Sequence, residues 1–281
     1  MTHDEAVARA AEAIARADGL LVTAGAGMGV DSGLPDFRGD AGFWRAYPPY
    51  AKLGLSFADL ADPRWFDQDP TLAWGFYGHR LNLYRATKPH EGFGRLRDWV
   101  AGRPRGGYVL TSNVDGQFQR AGFDPARVVE CHGTIDVWQC QRECGAGLFV
   151  AGDVAVHPQT FRALEPLPVC ARCGGPARPN VLMFGDAGWD DSRTMAQQRG
   201  LERWLVDLGG ARARLTIVEC GAGTAVPTIR ATGEALARRM GATLIRINPR
   251  ESMAPPGSLS IRLAAAEALG RIASILPASL V

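Results

Sequence analysis

The sequence predicts an α/β fold: a doubly wound parallel sheet with helices on both faces, carrying a helical, loop-rich segment and a small cysteine-bearing insertion. Three observations predict it. Short apolar runs at 20–24, 108–111, 128–132, 215–221 and 242–248 read as buried strands, and stretches of helical spacing lie between several of them. The runs at 20–24 and 215–221 each end in a glycine-rich turn, Gly25-Ala26-Gly27 and Gly221-Ala222-Gly223. Residues 136–180 break the alternation, with four of the six cysteines, several prolines and no long helical pattern.

Taken in order, Val7, Ala10, Ile14 and Ala17 give residues 4–18 the spacing of a packed helix. Leu20, Leu21 and Val22 begin the first strand. Glycines in the turn after it can take φ > 0 and admit a ligand close to the backbone, whose exposed N–H groups suit a pyrophosphate. Residues 40–65 are rich in aromatics, Pro and Gly, among them Phe43, Trp44, Tyr47, Tyr50, Phe57 and Trp65. They read as loops and short helices covering a site, or as a satellite hydrophobic cluster, and a lid needs such a cluster of its own. Helices are expected over 70–86, with Leu72, Phe76, Leu81 and Leu83, and over 91–102, with Phe93, Leu96 and Val100 on one face. The strands at 108–111 and 128–132 end in polar residues, and in open parallel sheets ligands sit at such carboxyl ends. A helix over about 227–240 and another over 261–275 complete the pattern. The expected organisation is a main domain from 1–39, 91–135 and 181–281, a covering segment at 40–90 and a small module at 136–180.

Length and composition narrow the class. The 281 residues suit one large domain, or a large and a small one, and the 46% hydrophobic content is ordinary for a globular chain. No apolar run approaches the ~18 residues that span a bilayer. The first residues are acidic and helical, unlike an export signal, so a cytoplasmic protein without membrane contact is expected. A net charge of +2 gives no electrostatic case for direct nucleic-acid binding. All but Lys52 and Lys88 of the 31 cations are arginine, a bias of composition more than of function. A monomer is expected.

Cys140 and Cys144 form a C-x3-C pair, and Cys170 and Cys173 a C-x2-C pair. In a reducing compartment such pairs favour metal over disulfides. Four thiolates make a closed tetrahedral zinc site, which stabilises a module too small for its own core. Nothing suggests an open coordination position. Cys131 and Cys220 end buried strands and read as core residues.

Gly25, Gly27 and Gly29 alone are a weak signal, because the dinucleotide fingerprint wants its third glycine where Val30 stands. The stretch that follows is more specific. GAGMGVDSGLPDFRG resembles the GAGxSxxSGIPDFRG signature of the sirtuins, the NAD-dependent protein deacylases. TSNVDGQFQRAG at 111–122, ECHG at 130–133, the four cysteines, VLMFGD at 181–186 and, more weakly, IRIN at 245–248 match in the family's order. The resemblance runs from Leu20 to about Asn248 and implies a Rossmann-like NAD-binding domain with a zinc module.

It also implies roles. His132, whose ordinary pKa of about 6.5 suits a base at neutral pH, matches the catalytic base that takes a proton from the nicotinamide ribose hydroxyls. In the family's reaction the acyl-amide oxygen of a modified lysine attacks the anomeric carbon, nicotinamide leaves, and water finally releases O-acyl-ADP-ribose. Asn113 is implied at the ribose and Asp115 at the nicotinamide carboxamide, with Ser112 beside them; turn chemistry is the simpler reading of this Asn and Asp. Asp36, Phe37 and Arg38 match the element that shields the reactive carbon and positions cofactor and loop. Gly25, Ala26 and Gly27 are implied at the phosphates, and Gly221, Gly223 and Asn248 on the adenosine side. Val181, Phe184 and Gly185 are implied to hold the acylated protein or peptide substrate.

The chain departs from the family at several points. Gly29 replaces a Ser, Ser112 a Gln, Gln117-Phe118 a Leu-His pair, and Gly221-Ala222-Gly223 a Gly-Thr-Ser turn. Each hydrogen bond lost is worth about 0.5–1.5 kcal/mol, which weakens NAD binding without removing Asn113, Asp115 or His132. An ADP-ribosyl transferase, an NAD hydrolase and a feeble NAD sensor therefore stand as alternatives to a deacylase. Tyr77 and Arg80 fall three residues apart on one helix face. They resemble the Tyr-x-x-Arg of sirtuins that prefer succinyl, malonyl or glutaryl lysine. Arg binds a carboxylate bidentately, so acidic acyl groups are one expectation; the other has Arg80 on the surface, facing solvent, Asp67 or Asp69.

Overall fold

The computed structural model describes residues 2–35, 43–44 and 47–277. Asp36, Phe37 and Arg38 lie outside the described residues. Among those residues the strands are β1 (Gly19–Ala24), β2 (Gly107–Thr111), β3 (Val128–Glu130), β4 (Gly133–Cys140), β5 (Phe149–Val150), β6 (Ala177–Val181), β7 (Leu215–Cys220), β8 (Thr243–Ile247) and β9 (Leu259–Ile261).

Six strands form one parallel sheet in the order β3-β2-β1-β7-β8-β9. Counted along the chain that is 3-2-1-4-5-6, the doubly wound order. Every residue of β1, β2 and β7 is buried, which is why these strands read as unbroken apolar runs. Helices His3–Arg16, Glu91–Ala101 and Ala265–Ala273 share one core with one face of the sheet. Helices Ser192–Gly210 and Thr228–Met240 share another with the opposite face. The first helix starts in a capping box: Glu5 N–H donates to Thr2 Oγ1, and Thr2 N–H to the Glu5 carboxylate.

The structure corrects the sequence-based elements in three places. Helix Ser192–Gly210, 19 residues long, lies where no element was assigned. It buries only Thr194, Leu201, Trp204, Leu205 and Leu208, so its first two turns show almost no apolar period. The expected helix over 261–275 is shorter, Ala265–Ala273; Ile261 closes β9, an edge strand of three residues, too short for a periodic signal. The strand expected over 128–132 stops at Glu130, so Cys131 and His132 lie beyond its carboxyl end.

A second layer stands beside the sheet. β4 pairs antiparallel with β5 and β6, and Gly133 faces Val181, so this small sheet reaches back to the residue after His132. Its hydrophobic side merges with the helical segment in one core holding Phe43, Tyr47, Tyr50, Phe66, Trp74 and Trp138. Trp74, on helix Pro70–Ala86, donates from Nε1 to the Ala177 carbonyl at 3.1 Å, and its ring meets Trp138 edge-on with centroids 4.8 Å apart. The helical segment and the small cysteine-bearing sheet therefore share one core.

Candidate active site

The sheet order reverses between β1 and β7, where Ala24 pairs with Cys220. Both strands run at this point into the glycine turns. A Cβ on Gly25 would lie 2.8 Å from the Ala222 Cα, and one on Gly221 would lie 2.2 Å from the Met28 nitrogen. The turns are thus packed backbone on backbone. Only Gly221 of this pair uses the left-handed region, at φ 64°; Gly25 and Gly27 do not, contrary to the expectation from sequence. Their role is close approach. The amides of Gly25, Gly27, Met28 and Gly29 are also committed, donating to the carbonyls of Cys220, Gly221, Gly25 and Ala26. The first turn therefore offers a ligand room more than bare N–H groups.

A cavity of about 600 Å³ opens at this switch point, a common size for small-molecule sites. It brings together Gly25, Ala26, Ser112, Asn113, Asp115 and His132 from the strand ends, with Gly221 and Gly223 from the second turn. Tyr77, Arg80, Val181 and Phe184 line it from the second layer. Gly27, Gly185 and Asn248 do not line it. Gly185 takes φ 66° at a turn, and Asn248 is fully buried, donating from Nδ2 to the Ala222 carbonyl at 2.9 Å. Asn248 thus shapes the second turn from behind.

Each polar group has an anchor. Asn113 donates from Nδ2 to the Gly25 carbonyl at 3.0 Å, and its amide donates to Thr111 Oγ1. Asp115 accepts the Gln117 amide at 2.9 Å. Burial pushes its carboxyl up to about 6, against that hydrogen bond and the Arg120 charge. His132 follows β3 and precedes Gly133, which sits at φ 76° with the Asn180 carbonyl 2.0 Å from where a Cβ would be. Burial lowers the His132 pKa, which favours the neutral imidazole.

Arg80 is buried, which rules out the surface reading. Asp69 instead takes Arg162, and Asp67 takes Gln141. The Arg80 guanidinium lies 5.1 Å from the Phe76 ring centre and 5.5 Å from those of Phe57, Tyr77 and Tyr84, and its Nε donates to Tyr84 Oη at 3.0 Å. The Tyr77 hydroxyl is buried, with no hydrogen-bond partner among the described residues. Sequence reasoning missed Tyr84, although it stands four residues after Arg80 on the same helix face. It also missed Val226 and Ile229, apolar lining that carries no motif, and gave no separate role to Leu34 and Leu182 inside the motifs that contain them.

The four sulfurs of Cys140, Cys144, Cys170 and Cys173 lie within 4.8 Å of one another, with Cys140–Cys173 and Cys144–Cys170 both at 3.6 Å. Tetrahedral zinc, with Zn–S of about 2.3 Å, sets its sulfurs roughly 3.8 Å apart, so the group fits.

A doubly wound sheet that opens its switch point onto buried titratable groups is the architecture of a nucleotide-dependent enzyme. The model of the Sir2 family matches residues 25–222, and the chain belongs to that family. An NAD-dependent protein deacylase of Aeropyrum pernix is 33% identical over 248 residues, covering 87% of this chain and 86% of its own. The NAD-dependent protein deacylase sirtuin-5, mitochondrial, of Danio rerio is 32% identical over 209 residues, covering 68% and 65%. Among solved structures, a Sir2 homologue in complex with NAD superposes with a TM-score of 0.70 at 26% identity, covering 95% of this chain and 93% of its own.

Proposed function

We propose that the protein is an NAD-dependent protein-lysine deacylase that releases nicotinamide and O-acyl-ADP-ribose. The observation that carries this is one cavity at the switch point lined by Asn113, Asp115 and His132 together with Tyr77 and Arg80. Bound NAD supplies a glycosidic bond whose nicotinamide leaves as a neutral group. His132, held neutral by burial, takes the proton of a ribose hydroxyl. Asn113, fixed on the Gly25 carbonyl, orients the ribose, and Asp115 receives the carboxamide. By the family motif they match, Phe37 shields the reacting carbon, and Asp36 and Arg38 position cofactor and loop. Gly25 and Ala26 give the phosphates room, with Gly27 completing the turn, and Gly221 and Gly223 form the adenosine side, shaped from behind by Asn248. Val181 and Phe184 hold the peptide, and Gly185 makes the turn that follows them.

The acyl group is the finer part of the proposal. Tyr77, Arg80 and Tyr84 present one cation and two hydroxyls to the cavity wall, a set suited to a carboxylate. Succinyl- and malonyl-lysine are the proposed substrates. Zinc holds the module of 136–180 together and takes no part in the chemistry, since all four coordination positions are thiolate. The lid of 40–90 and that module stand on the main domain as two insertions. A cytoplasmic monomer acting on acylated proteins, with no direct nucleic-acid contact, completes the proposal; among the described residues no helix is long and apolar enough to cross a membrane.

Mass spectrometry of the products from NAD and a panel of acyl-peptides tests it. O-acyl-ADP-ribose is expected. Free ADP-ribose or ADP-ribosylated protein would instead mark a hydrolase or transferase, and binding without nicotinamide release would mark a sensor.

A further inference from the structure

Helix Ser192–Gly210 meets β3 through its first two turns, and all its polar contacts there fall on Glu130. Gln197 Oε1 accepts the Glu130 amide at 3.0 Å, and Thr194 Oγ1 donates to the Glu130 carbonyl at 2.9 Å. Arg193 Nη2 donates to the Glu130 carboxylate, which also accepts Gln197 Nε2 at 3.4 Å. Glu130 is 1% exposed, so its charge has little water to screen it, and Arg193 is the cation that meets it. A buried carboxylate stripped of its cation is strongly unfavourable. Two residues on stands His132. The chain between is pinned as well: the Cys131 amide donates to the Thr111 carbonyl at 2.9 Å, and the His132 carbonyl accepts the Leu182 amide at 3.0 Å.

We propose that Arg193, through Glu130, is a positioning residue for His132. It fixes the strand end that carries the base and cancels the one buried negative charge of that strand end. This rests on the reading of His132 as the base. The electrostatic part extends to Asp115. Three charges face that carboxyl: Arg120 from the short helix Gln117–Arg120, Arg80 from helix Pro70–Ala86 and Glu130 from β3. Tyr84 stands near it also. The two arginines favour its ionised form and Glu130 opposes it. Without Arg193, the Glu130 charge is left uncompensated and opposes the ionised form of Asp115 more strongly.

The test is kcat and the pH profile of kcat/KM for Arg193→Met. A kcat lower by about ten- to a hundredfold is expected from a displaced base. The acid limb is expected to move up by about one unit, as for a like charge left beside a titrating group. Adding Glu130→Gln removes the stranded charge, so the double variant should return the limb to its wild-type position. Arg193→Lys keeps the charge and loses the fork, so it should lower kcat with the limb in place; it supplies the readout if the Met variant does not fold. A wild-type kcat and limb in Arg193→Met overturn the inference, as does a wild-type kcat in Arg193→Lys. His132→Ala separates the premise: turnover there defeats the base assignment, whereas a silent Arg193→Met defeats only the positioning role.

Discussion

Asn113 Nδ2 donates to the Gly25 carbonyl at 3.0 Å, joining the end of β2 to the turn after β1 across the floor of the cavity. The bond is buried, and its loss leaves the Gly25 carbonyl with the Met28 amide alone and breaks the side-chain tie between the two segments. Asn113→Ala should lower stability by about 1–3 kcal/mol and weaken NAD binding as well. Chemical denaturation and calorimetric titration with NAD measure the two. Unchanged NAD affinity would mean that the side chain only staples the sheet.

His132→Ala should abolish nicotinamide release while NAD still binds. In the wild type the base titrates below about 6.5, because burial disfavours the imidazolium. Asp115 titrates at about 6. Proton uptake by either group costs activity, so kcat/KM should be flat above neutrality and fall through pH 6. Asp115→Asn removes one titration and should move the acid limb lower. A limb centred above pH 7 would contradict both assignments.

One zinc per chain is expected by metal analysis of freshly purified, reduced protein. Chelation should open residues 136–180 before the main sheet. Because Trp74 donates to the Ala177 carbonyl and packs on Trp138, helix Pro70–Ala86 should lose hydrogen-exchange protection along with the module. Protection of that helix surviving chelation would show the two insertions to be independent.

Arg80→Met keeps bulk and removes charge. Succinyl- or malonyl-lysine peptides should have a higher kcat/KM than acetyl-lysine ones in the wild type, by roughly ten- to a hundredfold for a charge-assisted pair of about 1.5–3 kcal/mol. The variant should narrow or reverse the ratio. An unchanged ratio would assign Arg80 to its aromatic cage alone.

Arg178 and Asp186 form a two-pronged ion pair, at 2.6 and 2.8 Å, with both side chains almost fully buried. Asp186 Oδ2 also accepts the Met183 amide at 3.3 Å, so the pair ties the end of the 181–186 loop back to β6. Asp186→Asn should cost about 3–5 kcal/mol, because it strands a buried guanidinium. Thermal unfolding reads that cost, and KM for the peptide should rise with it.

The sequence by itself determined the doubly wound sheet, the strand ends that carry Asn113, Asp115 and His132, and the pairing of four cysteines. These signals are local: an apolar run, a turn residue or a short spacing survives in any linear reading. Tertiary structure decided the rest. Arg80 and Tyr77 were legible as neighbours on a helix, yet only packing against Phe57, Phe76 and Tyr84 put the guanidinium inside the protein and on the cavity wall. The free amide cradle expected at Gly25-Ala26-Gly27 gave way to contacts with Gly221, a partner nearly two hundred residues along the chain. Helix Ser192–Gly210 escaped notice because its first turns spend their side chains on Glu130, not on a core. Hydrogen bonds between distant segments leave no period in the sequence, so their pattern exists only once the sheet has brought the partners together.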